Sequence, residues 1–189
     1  KLQADNGAHY IDVNAGAFVF DEVKYMTWLI EVVQGVVDNP LALDSPNPDV
    51  LSSGIKILKS PEPPIINSIT AEKERYAKIL PLLQEHEARV IALCMGDGGM
   101  PETADDRLKI AEKLINDLER DGVAPDRVFL DPLIKPVSVN GEFGLQALDT
   151  IKGIAGWKTG AHITCGLSNI SYGLPKRTFL NQAFIVMAM

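Results

Sequence analysis

The chain has 189 residues, 46% of them hydrophobic and 23% charged, ordinary values for a globular protein. They exclude a disordered tail, a collagen-like chain and a coiled coil, and the length suits one domain, or a little more, with a sizeable core. With 18 Lys and Arg against 25 Asp and Glu, the net charge is -7, which repels phosphate backbones and argues against nucleic acid as a partner. No apolar run reaches the ~18 residues that a membrane helix needs, so no membrane association is expected. Two distant cysteines, Cys94 and Cys165, form neither a disulfide framework nor a zinc-type pair and point to a reducing, cytoplasmic compartment. Residues 1–8 carry no apolar signal-peptide core.

In chain order, residues 10–14 read as a strand ending in Asp12 and Asn14. Residues 21–37 place Val23, Met26, Leu29, Ile30, Val33, Val36 and Val37 at helical spacing. A strand follows at 41–44, then a helix to about residue 58, opened by Asn47 as cap and Pro48 at the first helical position. Residues 64–69 are a strand, and 72–86 a helix that Pro81 should break or kink. The near-continuous apolar run 89–95 suits a strand covered on both faces. Thr103, with Asp106 three residues on, opens the clearest helix. Its apolar stripe is Leu108, Ala111, Leu114, Ile115 and Leu118, and its charged residues, Arg107 among them, read as a solvated face. Residues 128–132 are a strand, 143–155 a helix, 163–169 the last strand, and a final helix starts near Pro175.

Six βα units in a row imply a parallel sheet with right-handed crossovers, either an open doubly wound sheet or a (β/α)8 barrel. Asp12 and Asn14, Asp44 and Ser45, Asn67 and Ser68, Asp131, and Ser168 and Asn169 fall at C-terminal ends of predicted strands. In a barrel all such ends face one mouth. In an open sheet only those near the switch point would meet a ligand. Polar residues at nearly every end favour the barrel.

These ends are rich in Asp and Asn. No dinucleotide or phosphate-loop fingerprint is present, and Gly96, Gly98 and Gly99 read as a flexible loop. His9, His86 and His162 sit at the wrong ends of their elements for a site, and both cysteines lie in apolar runs as inert thiols. Asp carboxylates and Asn amides suit a planar heterocycle with several N–H and C=O groups: Asp accepts from ring N–H and amino groups, and Asn donates and accepts at once. Each residue taken alone serves equally as a helix cap or turn former. A hard cation bound by the Asp set is a weaker alternative.

The segments Asp12-Val13-Asn14, Leu43-Asp44-Ser45, Ile66-Asn67-Ser68, Leu130-Asp131-Pro132-Leu133 and Gly166-Leu167-Ser168-Asn169-Ile170-Ser171, followed by Pro175 and Arg177, resemble in this order the pterin-binding barrel superfamily. Within it the likeness is to methyltetrahydrofolate:corrinoid-protein methyltransferases, with residues 140–144 and Leu180-Asn181 fitting the same pattern. The resemblance implies a (β/α)8 TIM barrel and a methyl transfer between N5 of methyltetrahydrofolate and the cobalt of a corrinoid. It implies that Asp44, Asn67 and Asp131 bind the pterin edge, that Asn169 sits beside N5, that Gly166 and Ser168 line the pocket, and that Arg177 lies near the folate. Asp12 and Asn14 would orient the others. Asn169 and Asp131 would carry the catalytic roles, Asn169 stabilising a protonated N5 and Asp131 serving the proton network. No D-x-H-x-x-G segment surrounds any of the three histidines, so the corrinoid is expected on a partner protein, with loops 96–101 and 135–144 as docking surfaces and no metal held by this chain. Relatives suggest a homodimer that packs the apolar 179–189 helix.

Two alternatives stand beside this reading: a pterin-binding module without catalysis, and a dihydropteroate synthase-like enzyme. The latter is disfavoured because Leu167-Ser168-Asn169 occupies the place of a basic Ser-Arg-Lys type segment. A full barrel takes about 250 residues. The six units therefore correspond to strands 2 to 7, and residues 1–189 are expected to be a single barrel domain lacking its first and last strands.

Overall fold

The computed structural model describes residues 1–189. A short helix α1 (Leu2–Asp5) precedes β1 (Ile11–Asn14) and α2 (Glu22–Gln34). The order continues β2 (Leu41–Asp44), α3 (Pro48–Ile55), β3 (Ile65–Thr70), α4 (Lys73–Glu85), β4 (Arg89–Leu93), α5 (Ala104–Arg120), β5 (Val128–Asp131), α6 (Glu142–Ala155), β6 (His162–Ile163) and α7 (Arg177–Ala188). The strands form one parallel six-stranded sheet in chain order, not closed on itself. This is the strand-helix alternation of an incomplete (β/α)8 barrel. No helix is long and apolar enough to cross a membrane.

The chain divides into two compact units, Lys1–Ile69 with Glu74–Ile91, and Thr70–Lys73 with Ala92–Met189. In the first, β1 alternates: Ile11 and Val13 are buried while Asp12 and Asn14 are exposed, the period-2 consequence of the pleat. Met26 and Ile30 of α2, Leu43 of β2, and Val50 and Leu51 of α3 are all fully buried. The cap of α3 forms as its sequence predicts, Asn47 Oδ1 accepting from Asp49 N at 3.0 Å, although the helix ends at Ile55. Pro81 neither breaks nor ends α4. It forfeits one backbone donor, and the buried Ile79, Leu82 and Leu83 around it anchor the helix face.

In the second unit, Thr103 caps α5 by accepting from Asp106 N at 3.2 Å. The helix buries Ala104, Arg107, Ala111, Leu114, Ile115 and Leu118. Arg107 therefore does not belong to the solvated face: it stands three residues after Ala104 and four before Ala111, on the core stripe. Its guanidinium nitrogens are buried without a hydrogen-bond partner. A second cluster joins Ile134, Ala147, Ile151, Ile170 and Phe184.

The last strand is much shorter than its apolar start predicts. The ladder reaches Leu130↔Ile163 and one further bond from Thr164 N to the Leu130 carbonyl at 3.0 Å. Gly166, Ser168 and Asn169 are poor strand formers, and the chain turns there into a 3-10 segment, Leu167–Ser171. Ser168 and Asn169 thus lie in a turn after β6 and not at a strand end. Loop 96–99 is closed by reciprocal backbone contacts of Gly96 and Gly99, with Gly99 at a φ of +82°, a conformation that favours glycine.

Candidate functional site

Each unit carries its own set of polar residues, most of them at or beyond strand ends, although Asn67 and Ser68 lie inside β3 because that strand runs on to Thr70. In the first unit the parallel register pairs Asn14 with Asp44 and Asp44 with Asn67. The three side chains form one row across β1, β2 and β3, with Asp12 two residues earlier on the face of β1 that carries Asn14. Asn14 Nδ2 donates to Asp44 Oδ2 at 2.8 Å, and Asn14 Oδ1 accepts from Gly16 N at 2.7 Å. Both ends of the amide are thereby fixed, and so is one oxygen of Asp44. Asp12 is hydrogen-bonded by Asn67. Burial among neighbouring atoms and then the Asp44 charge hold its carboxyl above the usual range, against the opposing bond from Asn67. The solvent contact it retains moderates that rise.

The residues that follow Asp44 and Asn67 support the row. Ser45 is buried. Its hydroxyl donates to Glu22 Oε1 at 2.5 Å and accepts from Asn47 N at 3.0 Å. Ser45 N donates to the Asn67 carbonyl at 3.1 Å. Arg75, in the first turn of α4, donates to the carbonyls of Ser68, Ser45 and Pro46.

In the second unit Asp131 Oδ1 accepts from Leu133 N at 2.7 Å, and the Gly166 amide also bonds this carboxylate. Burial nevertheless raises its carboxyl to about 6, outweighing the two backbone donors. Asp131 is therefore a carboxylate that can hold a proton near neutral pH. Asn169 follows in the Leu167–Ser171 turn, its N–H bonded to the Gly166 carbonyl at 3.0 Å. A Cβ on Gly166 would stand 2.8 Å from Asn169 Nδ2, so the bare glycine makes room for that amide. Arg177 donates from Nη2 to the Ser168 carbonyl at 2.7 Å and from Nε to Ser171 Oγ at 3.0 Å. Ser168 and Asn169 are exposed.

Cys94 is buried and Cys165 only half-buried. Burial lifts both thiols, to about 12 and about 11, which leaves little thiolate at neutral pH. His162 packs on Phe129, with Nε2 against the Asp126 carbonyl, a structural position. No group of three or more His, Cys, Asp and Glu side chains is arranged to hold a metal ion.

The model of the family described as "Pterin binding enzyme" matches residues 1–189. The chain belongs to the pterin-binding enzyme family. It is 32% identical, over 99% of its length and 69% of the relative's, to methylcorrinoid:tetrahydrofolate methyltransferase of Eubacterium limosum. It is also 32% identical to methionine synthase of Mycobacterium tuberculosis, over 98% of this chain but 16% of that much longer protein. Among solved structures it superposes on dihydropteroate synthase of Xanthomonas albilineans in complex with 7,8-dihydropteroate, with a TM-score of 0.69, 19% identity, and coverage of 99% of this chain and 71% of that one. The same enzyme with indole-2-carboxylic acid and 6-chloroguanine gives a TM-score of 0.67 at 18% identity. These two likenesses show the fold of this pterin-binding enzyme and nothing of its reaction.

Arg75 and Ser45 complete the first set. Ser45 is visible in the sequence as a strand-end hydroxyl, whereas Arg75 goes unnoticed in a charged helix start. The available signal is electrostatic. The N-terminal turn of a helix disfavours cations, yet α4 carries Arg75 and α7 carries Arg177 there. Arg75 spends its guanidinium on carbonyls beside proposed ligand residues, and Arg177 on the Ser168 carbonyl and the Ser171 hydroxyl.

Proposed function

We propose that this chain moves a methyl group between N5 of methyltetrahydrofolate and the cobalt of a corrinoid carried by a partner protein. One observation carries the reading: nearly the whole chain aligns at 32% identity with an enzyme named for that transfer. The site chemistry supports it. Asp44, Asn67 and Asp131 bind the donor and acceptor edge of the pterin, and Asn14, fixed at 2.8 Å from Asp44, orients that carboxylate together with Asp12. Gly166 and Ser168 line the pocket, and Arg177 lies beside the folate. Residues 1–189 act as one pterin-binding domain.

The corrinoid, when docked, supplies the methyl acceptor in one direction and the methyl donor in the other. What this chain contributes is the amine. A tertiary amine leaves poorly unless N5 is protonated or strongly hydrogen-bonded in the transition state. Asn169 is too weak an acid to donate a proton; its carbonyl oxygen accepts from a protonated N5 after the amide rotates. Asp131, raised to about 6, holds the proton that solvent exchanges with N5. Positioning and oriented hydrogen bonds carry the rate.

Mixing the protein with methyltetrahydrofolate and cob(I)alamin under anaerobic conditions tests this. Growth of the methylcobalamin absorption is expected. Binding of methyltetrahydrofolate without transfer favours the non-catalytic module. Condensation of a pterin diphosphate with aminobenzoate favours the synthase. Asn169→Ala is expected to weaken both binding and transfer, the latter by about 100-fold, and Asp44→Ala chiefly binding. A cytoplasmic homodimer belongs to the same reading. Its support is two free cysteines and the exposed Phe179, Val186 and Met187 of α7, and sedimentation velocity measures the mass.

A further inference from the structure

We propose that Arg75 is a positioning residue that fixes the spacing of Asp44 and Asn67, an inference that rests on the pterin-binding reading of those two side chains. The β2–β3 ladder ends where Ser45 N donates to the Asn67 carbonyl at 3.1 Å. Beyond it the carbonyls of Ser45, Pro46 and Ser68 all turn to one guanidinium. Arg75 Nη2 donates to Ser68 O at 2.7 Å and to Ser45 O at 3.1 Å, Nε donates to Ser68 O at 3.0 Å, and Nη1 donates to Pro46 O. Ser45 directly follows Asp44, and Ser68 directly follows Asn67. The segments that follow the two ligand residues are therefore tied to a single planar, rigid group, with Ser45 O and Ser68 O sharing Nη2.

Five donors in a fixed fork make this arrangement possible. An ammonium offers three donors on a flexible stem and cannot hold three carbonyls at set separations. Arg75 carries out this task from the first turn of α4, where the helix dipole opposes a cation. Its position is thus explained by its partners and not by helix stability. In this role the residue acts through the backbone of its neighbours.

The test measures methyltetrahydrofolate binding, steady-state transfer and thermal unfolding on the intact protein for Arg75→Lys and Arg75→Ala. The inference expects Arg75→Lys to keep the wild-type melting temperature within a few degrees. Its Kd and KM should rise about tenfold or more while the rate at saturation changes by less than about threefold. In Arg75→Ala, guanidinium at tens of millimolar should recover affinity, and potassium at equal ionic strength should not. Wild-type Kd and KM in a folded Arg75→Lys protein would overturn the inference, as would a lowered melting temperature with unchanged Kd. Should Arg75→Ala not fold, Arg75→Lys decides alone. Failure of the unaltered protein to bind methyltetrahydrofolate overturns the functional reading and this inference with it, and that result is separate because it needs no variant.

Discussion

At the scale of single residues, Gly166 and Asn169 act as a pair. The Asn169 amide nitrogen stands where a methyl on residue 166 would need to be, at 2.8 Å. It is the far end of a rotatable, exposed side chain, so the clash relaxes by turning the amide away and costs little stability. Gly166→Ala should therefore unfold at the wild-type temperature and transfer methyl groups about tenfold or more slowly, since small displacements of a positioned group cost rate steeply. Asp131 behaves in the opposite way, because its burial is written into stability. Its carboxyl rises from the ordinary 3.8 to about 6 in the folded chain, so the folded state binds the proton more tightly than the unfolded one. The resulting stabilisation is complete below pH ~4 and is lost as pH climbs through about 6, amounting to at most about 3 kcal/mol. Urea unfolding of the wild type and of Asp131→Asn between pH 4 and 7 should show the wild type losing ground to the variant across this window. Parallel curves would mean that Asp131 titrates as an exposed carboxylate.

At the scale of elements, two helical glycines separate close packing from spare room. A Cβ on Gly54 of α3 would meet Ile30 Cδ1 at 2.9 Å and Leu43 Cδ1 at 3.2 Å, and both of those side chains are fully buried. A Cβ on Gly153 of α6 would meet Leu108 at 2.7 Å, but Leu108 is only partly buried and can rotate outward. Each Gly→Ala change gains up to about 1 kcal/mol of helix propensity, set against about 1–3 kcal/mol for overpacking where neighbours cannot yield. Gly54→Ala should thus be destabilised by about 1–2 kcal/mol and Gly153→Ala should be near neutral, as chemical denaturation will read. The same contrast explains what the sequence reveals. Elements with strong local signals are legible: Asn47-Pro48 opening α3, Thr103 with Asp106 opening α5, and the strand ending at Asp44 all fall where patterning places them. Ser168 and Asn169 are misplaced on a strand because the apolar start at Ile163 extends a β pattern that the ladder with β5 does not sustain. Arg107 is misplaced at the surface because its charge outweighs its stripe position. Arg75 goes unread because its carbonyl partners lie about 30 residues away, at Ser45 and Pro46, a distance that no local window covers.

At the scale of the whole molecule, the proposed ligand residues are shared out between two compact units. Asp12, Asn14, Asp44 and Asn67 belong to the first, while Asp131, Gly166, Ser168, Asn169 and Arg177 belong to the second. Within each unit several polar groups are already held by that unit's own bonds, Asn14 to Asp44, Leu133 N to Asp131 and Arg177 to the Ser168 carbonyl, while the Asn169 amide stays free to turn. Each half is therefore organised before ligand arrives, and binding has little local ordering entropy to overcome. A ligand that binds the folded chain stabilises it by RT ln(1 + [L]/Kd), about 2.7 kcal/mol at a hundredfold excess over Kd. That stabilisation appears in each unit whose own residues bind the ligand. Hydrogen exchange with methyltetrahydrofolate at saturation should slow amides just after Asp44 and Asn67, around Ser45 and Ser68, and also amides of the Leu167–Ser171 turn and Leu133. Protection confined to the first unit would leave Asp131 and Asn169 without a ligand role and would remove the basis for methyl transfer, reducing the chain to a pterin-binding scaffold. Protection of the second set, which holds Asp131 and Asn169, is the outcome that the transfer mechanism requires.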